Sequence, residues 1–243
     1  MFKICITFEM IQNEILMKKL VLFIFLISCF SILNAQSKIN QGLKAALDSI
    51  MKSDQILREY IDSETTEVRK KEILKEIGRE NDATFRNRIW LTINTQDSIN
   101  LIKVEKIIAS YGYPGKSLVG EPTNIAAWYV IQHTSKIAKY LPLIEKEAKR
   151  GEIPFTNFAM MQDRCLTQQG KEQIYGTQGQ GKYVLNKETG KNEFFSYVSP
   201  IKNPEKVNEL RKKAGFTTTV EENAERMGIK YKIYSLDEIA KMK

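Results

Sequence analysis

The chain has 243 residues, a formal charge of +8, a single histidine and three cysteines. Its length suits one sizeable domain with a buried core. The basic surplus is mild and lies on helix-like segments with glutamates three or four positions away, the pattern of solvated helix faces, with attraction to anionic glycans, cell wall or lipid headgroups as the alternative. The basic runs lack interleaved aromatics, so nucleic-acid binding is not expected.

Met17-Lys18-Lys19, the apolar run Leu20 to Ile27 and the small-residue exit to Ala35 have the order of a secretory signal peptide. This reading places the true start at Met17, with residues 1–35 as upstream extension plus leader and cleavage before Gln36. Cleavage would remove Lys3, Lys18 and Lys19 against Glu9 and Glu14, lowering the +8 charge by one. The expected location is exported, periplasmic or extracellular. The alternative reads Leu26-Ile27-Ser28-Cys29 as a lipoprotein box with a lipid anchor on Cys29. The run from Leu20 to Leu33 is too short to span a bilayer comfortably, and no transmembrane helix is expected in the mature chain. Loss of Cys5 and Cys29 would leave Cys165 alone, so the core must hold the fold without an internal disulfide.

Apolar residues at three- and four-residue steps predict helices through Leu43, Leu47, Ile50 and Leu57, and through Val68, Ile73 and Ile77. A third helix is predicted over Asp97 to Ser110, ending at Gly112, and a turn at Tyr113-Pro114-Gly115. Pro122 to Ser135 reads as a buried central helix carrying Gln132 and His133 near its end. Ile137 to Lys149 follows, with Pro142 a break or start, and then Phe155 to Gln168. After Gly170 the helical period is lost. Tyr183 to Leu185 and Glu193 to Val198 flank Asn186 to Gly190 as a hairpin. Pro204 to Lys213 returns to helix, closed by Gly215, and Ser235 with Glu238 forms a capping box. The expected fold is mainly α: one multi-helix domain over residues 36–218 with a small β-hairpin in the carboxyl-terminal third, and a peripheral tail over residues 219–243.

The polar groups concentrate between Tyr111 and Gln178. No metal-ligand spacing, phosphate loop or catalytic triad is legible, and no cofactor is expected. Hypothetical catalytic residues are His133, Asp163 and Tyr175, with Asp163 fixing the tautomer of His133 for proton transfer. Hypothetical ligand-binding residues are Gln132, Arg164, Gln173 and Gln178, with the Arg164 fork holding an anionic group. The expectation is that His133, Asp163, Arg164 and Tyr175 converge. A buried structural network made of the same residues is the competing reading. Cys165 follows Met160 and Met161 on an apolar helix face, so packing is expected of it rather than nucleophilic chemistry.

The order Asp54-Gln55 with Arg58, Asp97 with Asn100, Tyr111-Gly112-Tyr113-Pro114, Val119-Gly120, Ala126-Ala127-Trp128, Gln132-His133, Tyr140-Leu141-Pro142, Asp163-Arg164, Gly170, Gln173, Tyr175-Gly176-Thr177-Gln178, and Val207 with Arg211 and Gly215 resembles the bacterial family called domain of unknown function 6624. The resemblance spans Asp54 to Phe216 and implies no established activity. Gly112-Tyr113-Pro114 stands where the family shows Gly-Trp-Pro, and Cys165 stands at an aliphatic position. The expected function is an exported module that binds a small molecule or an envelope component through its polar cluster. The alternative is an exported, cofactor-independent hydrolase or lyase using His133 as general acid/base.

Overall fold

A computed structural model describes Met17 and residues 39–186 and 188–242. The leader reading falls, apart from Met17, outside these residues. The described chain contains ten α-helices, three short 3-10 helices and one hairpin. The α-helices and strands are α1 (Gln41–Ile61), α2 (Glu67–Glu76), α3 (Ile89–Tyr111), α4 (Lys116–Val119), α5 (Ala126–Ile131), α6 (Ile137–Lys149), α7 (Phe155–Gln168), β1 (Gly179–Leu185), β2 (Asn192–Val198), α8 (Val207–Ala214), α9 (Val220–Arg226) and α10 (Leu236–Lys241). The mainly helical expectation holds, and so does the hairpin, which pairs antiparallel from Gly179 with Val198 to Leu185 with Asn192.

Helix α1 begins where the Asn40 side chain accepts a hydrogen bond from the Leu43 amide at 3.0 Å. Its stripe of Leu43, Leu47 and Ile50 enters the main core with Val104, Trp128, Ile131, Ile137, Ile144, Phe158 and Met161. Each such side chain contributes about 1.5–3 kcal/mol by leaving water. Further along α1, Ile56 and Leu57 join Ile73, Phe85, Ile89 and Ile93 in a second cluster. That cluster explains why α3 starts at Ile89 rather than near Asp97: two extra turns are stabilised by burying Ile89 and Ile93. Asp97 therefore lies inside the helix, where it faces α1 instead of capping.

Two more expectations are corrected. The helix predicted over Pro122 to Ser135 divides into a 3-10 turn at Thr123–Ile125 and the short α5, so His133 sits in the turn beyond the helix, its amide donating to the Val130 carbonyl at 3.3 Å. Pro142 neither breaks nor starts α6, which runs through it. Only one amide-to-carbonyl bond is forfeited there, while Ile137, Tyr140 and Ile144 keep their buried stripe.

Residues 219–243 are not uniformly peripheral. Thr219 and Glu222 form a capping box at the start of α9. Val220, Ala224 and Ile229 then pack against Val198, Ile201 and Val207 in a third core cluster. Beyond it, α10 exposes most of its surface but opens with the expected Ser235 and Glu238 capping box. Lys182 of β1 donates to the carbonyls of Ile239 and Met242, placing its charge at the carboxyl end of α10. Among the described residues no helix is long and apolar enough to cross a membrane.

Candidate functional site

Helix α7 carries Asp163 and Arg164 side by side, and successive helical positions point about 100° apart. They serve different neighbours. Asp163 is fully buried and faces the segment 173–178, accepting from the amides of Ile174 at 2.7 Å, Tyr175 at 3.1 Å and Thr177 at 3.0 Å, and from the Thr177 hydroxyl at 2.9 Å. Burial pushes its carboxyl above the ordinary range, against these donors, which pull it down. No polar capacity is left for the His133 imidazole. The expected Asp163–His133 pair is absent because the glycine-broken segment has no helix or sheet to satisfy its amides, and the carboxylate supplies what they need.

The rest of that segment is equally well bonded. Gln173 is fully buried, donates to the carbonyls of Gln178 and Ser199 at 2.9 and 2.7 Å, and accepts from the Gln178 amide at 2.9 Å. Its side chain is thus part of the scaffold rather than a ligand contact. Arg211, with 1% of its surface exposed, donates to the Tyr175 carbonyl at 2.9 Å and to Thr218, and lies over the Phe216 ring. Asn223 donates to the Gly176 carbonyl at 3.0 Å. The Tyr175 ring packs towards Phe216, with centroids 6.2 Å apart, and its charged neighbours are Asp163 and Glu145 rather than His133. Burial raises its phenol above the usual value.

The segment ends by presenting Gln178. Its Oε1 accepts from Arg164 Nε at 3.2 Å while Arg164 Nη1 donates to the Gln132 carbonyl at 3.1 Å. Arg164 is thereby held between the turn after α5 and the start of β1. Both of its acceptors are neutral, and among the described residues no carboxylate lies within ion-pair distance of it. Burial and the charge of Arg58 lower its pKa. His133 feels the same surroundings: burial first, then Arg58 and Arg164, pull its imidazole down to about 3, so the ring is neutral at pH 7. Neither the His133 ring nor the Gln132 side-chain amide hydrogen-bonds to a described residue, and neither is among the sealed unpartnered groups, so both keep some access to solvent.

Of the residues expected at a site, Gln132, His133, Arg164 and Gln178 therefore come together, whereas Asp163 and Gln173 hold the supporting segment and Tyr175 turns towards Phe216. Arg58 is the residue that the reading of the site missed. Its Nη1 donates to the Asp54 carbonyl at 2.7 Å, and its Nη2 reaches both Asp97 oxygens at 2.9 Å. The fully buried Asp54 carboxylate lies 3.6 Å away. Burial raises the Asp54 pKa, with Arg58 opposing it. The signal was present in the chain: Asp54 occupies the next position of the Leu43-Leu47-Ile50 stripe, where a carboxylate is tolerated only with a partner.

Cys165 is buried in the main core, the packing role expected of it. Among the described residues no group of three His, Cys, Asp or Glu side chains is placed to hold a metal ion. What the cluster around Arg164 presents is hydrogen-bonding groups and positive charge.

No curated protein and no solved structure matches the chain. A family model does match, over residues 42–232, a span that includes Arg58, His133, Arg164 and the packed helix α9. The chain belongs to that family, DUF6624, a family of unknown function.

Proposed function

We propose that the protein is an exported binding module that receives an anionic group of a small molecule on Arg164, beside His133 and Gln132. The observation that carries this reading is the Arg164 guanidinium, partly removed from water and held by two neutral acceptors without a carboxylate partner. A desolvated cation in that state favours an incoming carboxylate or phosphate, which gains charge-assisted hydrogen bonds. Arg58 adds field without being spent on the ligand, because Asp54 and Asp97 already bracket it. Neutral His133 offers one ring donor and one acceptor, and Gln132 offers an amide. Acid/base catalysis by His133 is less well supported, since an imidazole whose pKa is held near 3 is a weak base and is almost wholly deprotonated at neutral pH.

The test is thermal unfolding of the purified protein with inorganic phosphate, citrate and glucose 6-phosphate, each against a neutral analogue. At least one anion should raise the midpoint saturably, and Arg164→Met should abolish the rise with little change in the unliganded midpoint. Equal response of parent and variant would overturn the reading. Export is checked by terminal sequencing of the secreted or periplasmic protein, with Gln36 expected first, a lipidated Cys29 indicating the anchored alternative, and an intact Met17 in the soluble fraction refuting both.

A further inference from the structure

A cleft of about 370 Å³ lies where the last turn of α1 meets the first turns of α2 and α3. Its apolar wall is built from Tyr60, Ile61 and Trp90, and its charged rim from Glu67, Lys70 and Arg86. The Tyr60 ring is set by an edge contact with Phe85, at 5.9 Å between centroids. Trp90 is 62% exposed, whereas the other tryptophan, Trp128, is 4% exposed in the main core and donates to the Asn157 carbonyl. An indole left in water beside a concave apolar wall is surface that a ligand can cover.

The rim charges are not balanced. Lys70 pairs with Glu67 at 3.1 Å. The Arg86 guanidinium has no ion pair or hydrogen bond to any described residue. The cleft thus combines an apolar wall with one unspent guanidinium, and its volume lies within the range of small-molecule sites. The Arg164 site is not involved, because none of its residues lines this cleft.

We propose that this cleft binds a free small amphiphile carrying one acid group, its apolar body against Trp90 and Ile61 and its acid on Arg86. Trp90 supplies its own readout, since Trp128 is shielded and contributes a constant background to the fluorescence. Titration with decanoate below its micelle concentration should change the tryptophan emission saturably, and decanol should bind at least about tenfold more weakly, the effect expected for losing one charge-assisted contact. Arg86→Gln should weaken decanoate by a similar factor, whereas Arg164→Met should leave the response unchanged. Trp90→Ala should remove the signal and, by calorimetry, weaken binding. Equal binding of decanoate and decanol, an unaltered affinity in Arg86→Gln, or a response to anionic phosphatidylglycerol vesicles but not to decanoate would each overturn the proposal. So would the absence of saturable binding in the parent protein.

Discussion

Replacing Asp163 by alanine separates a structural carboxylate from a catalytic one. The substitution removes every acceptor offered to the amides of Ile174, Tyr175 and Thr177 and to the Thr177 hydroxyl. A buried donor left unpaired costs about 1–3 kcal/mol. Water entering the vacated space would recover part of this, so the net loss is set at roughly 3–5 kcal/mol. For a domain of this size each kcal/mol lowers the unfolding midpoint by about 2–4 °C, giving a fall of roughly 6–20 °C. Circular dichroism melts measure the fall, and hydrogen exchange should show protection lost first at residues 174–177. A variant that melts within about 2 °C of the parent, with those amides still protected, would refute the assignment of Asp163 as the anchor of this segment.

Three other outcomes follow from particular contacts. The His133 imidazole should remain neutral at pH 5 by nitrogen-edited NMR, because its folded pKa is held to about 3 against about 6.5 when unfolded. Its contribution to stability is therefore fully present above pH 6.5 and is lost as pH falls towards 3, where the unfolded chain alone takes up the proton; a resonance titrating near 6.5 would contradict this. Gly176→Ala should destabilise by about 1–3 kcal/mol in chemical denaturation, since φ is +67° and a Cβ there would sit 2.5 Å from Val220 Cγ2. Leu47→Ala, at a site with no exposed surface, should cost about 3–5 kcal/mol in the same assay, and a loss below about 1 kcal/mol would be inconsistent with its central place in the core.

Local sequence pattern, in periodicity and in cap residues, determined much of the architecture. The helix predicted over Phe155 to Gln168 has those bounds in the structure, Gly215 closes α8 in the left-handed region at φ +93°, and Ser235 caps α10 with Glu238. These features are legible because each depends on residues within a few positions of one another: a stripe at 3.6 spacing, a glycine free to adopt positive φ, or a hydroxyl within reach of its own first turn. Features set by distant partners were not legible in this way. Asp97 looked like a helix start because aspartate is a good cap, yet the buried Ile89 and Ile93 carry α3 two turns further back and leave Asp97 to face Arg58. Residues 219–243 looked peripheral because their own pattern is short, whereas Val220 and Ala224 find their apolar partners in Val198, Ile201 and Val207.

The candidate site divides along the same line. Its residue types and its neighbourhood stood in the sequence, because Gln132-His133, Asp163-Arg164 and Tyr175 to Gln178 are dense polar segments among apolar helices. Their roles were decided only by the tertiary structure. Asp163 and Arg164 are adjacent in sequence, but one step along a helix turns them to different surroundings, so the carboxylate meets the unpaired amides of a glycine-broken segment and the guanidinium meets only neutral oxygens. Which buried donor finds which acceptor depends on the packing of α1, α7 and the segment before β1, and contacts between elements so far apart along the chain leave no local period for a sequence to display.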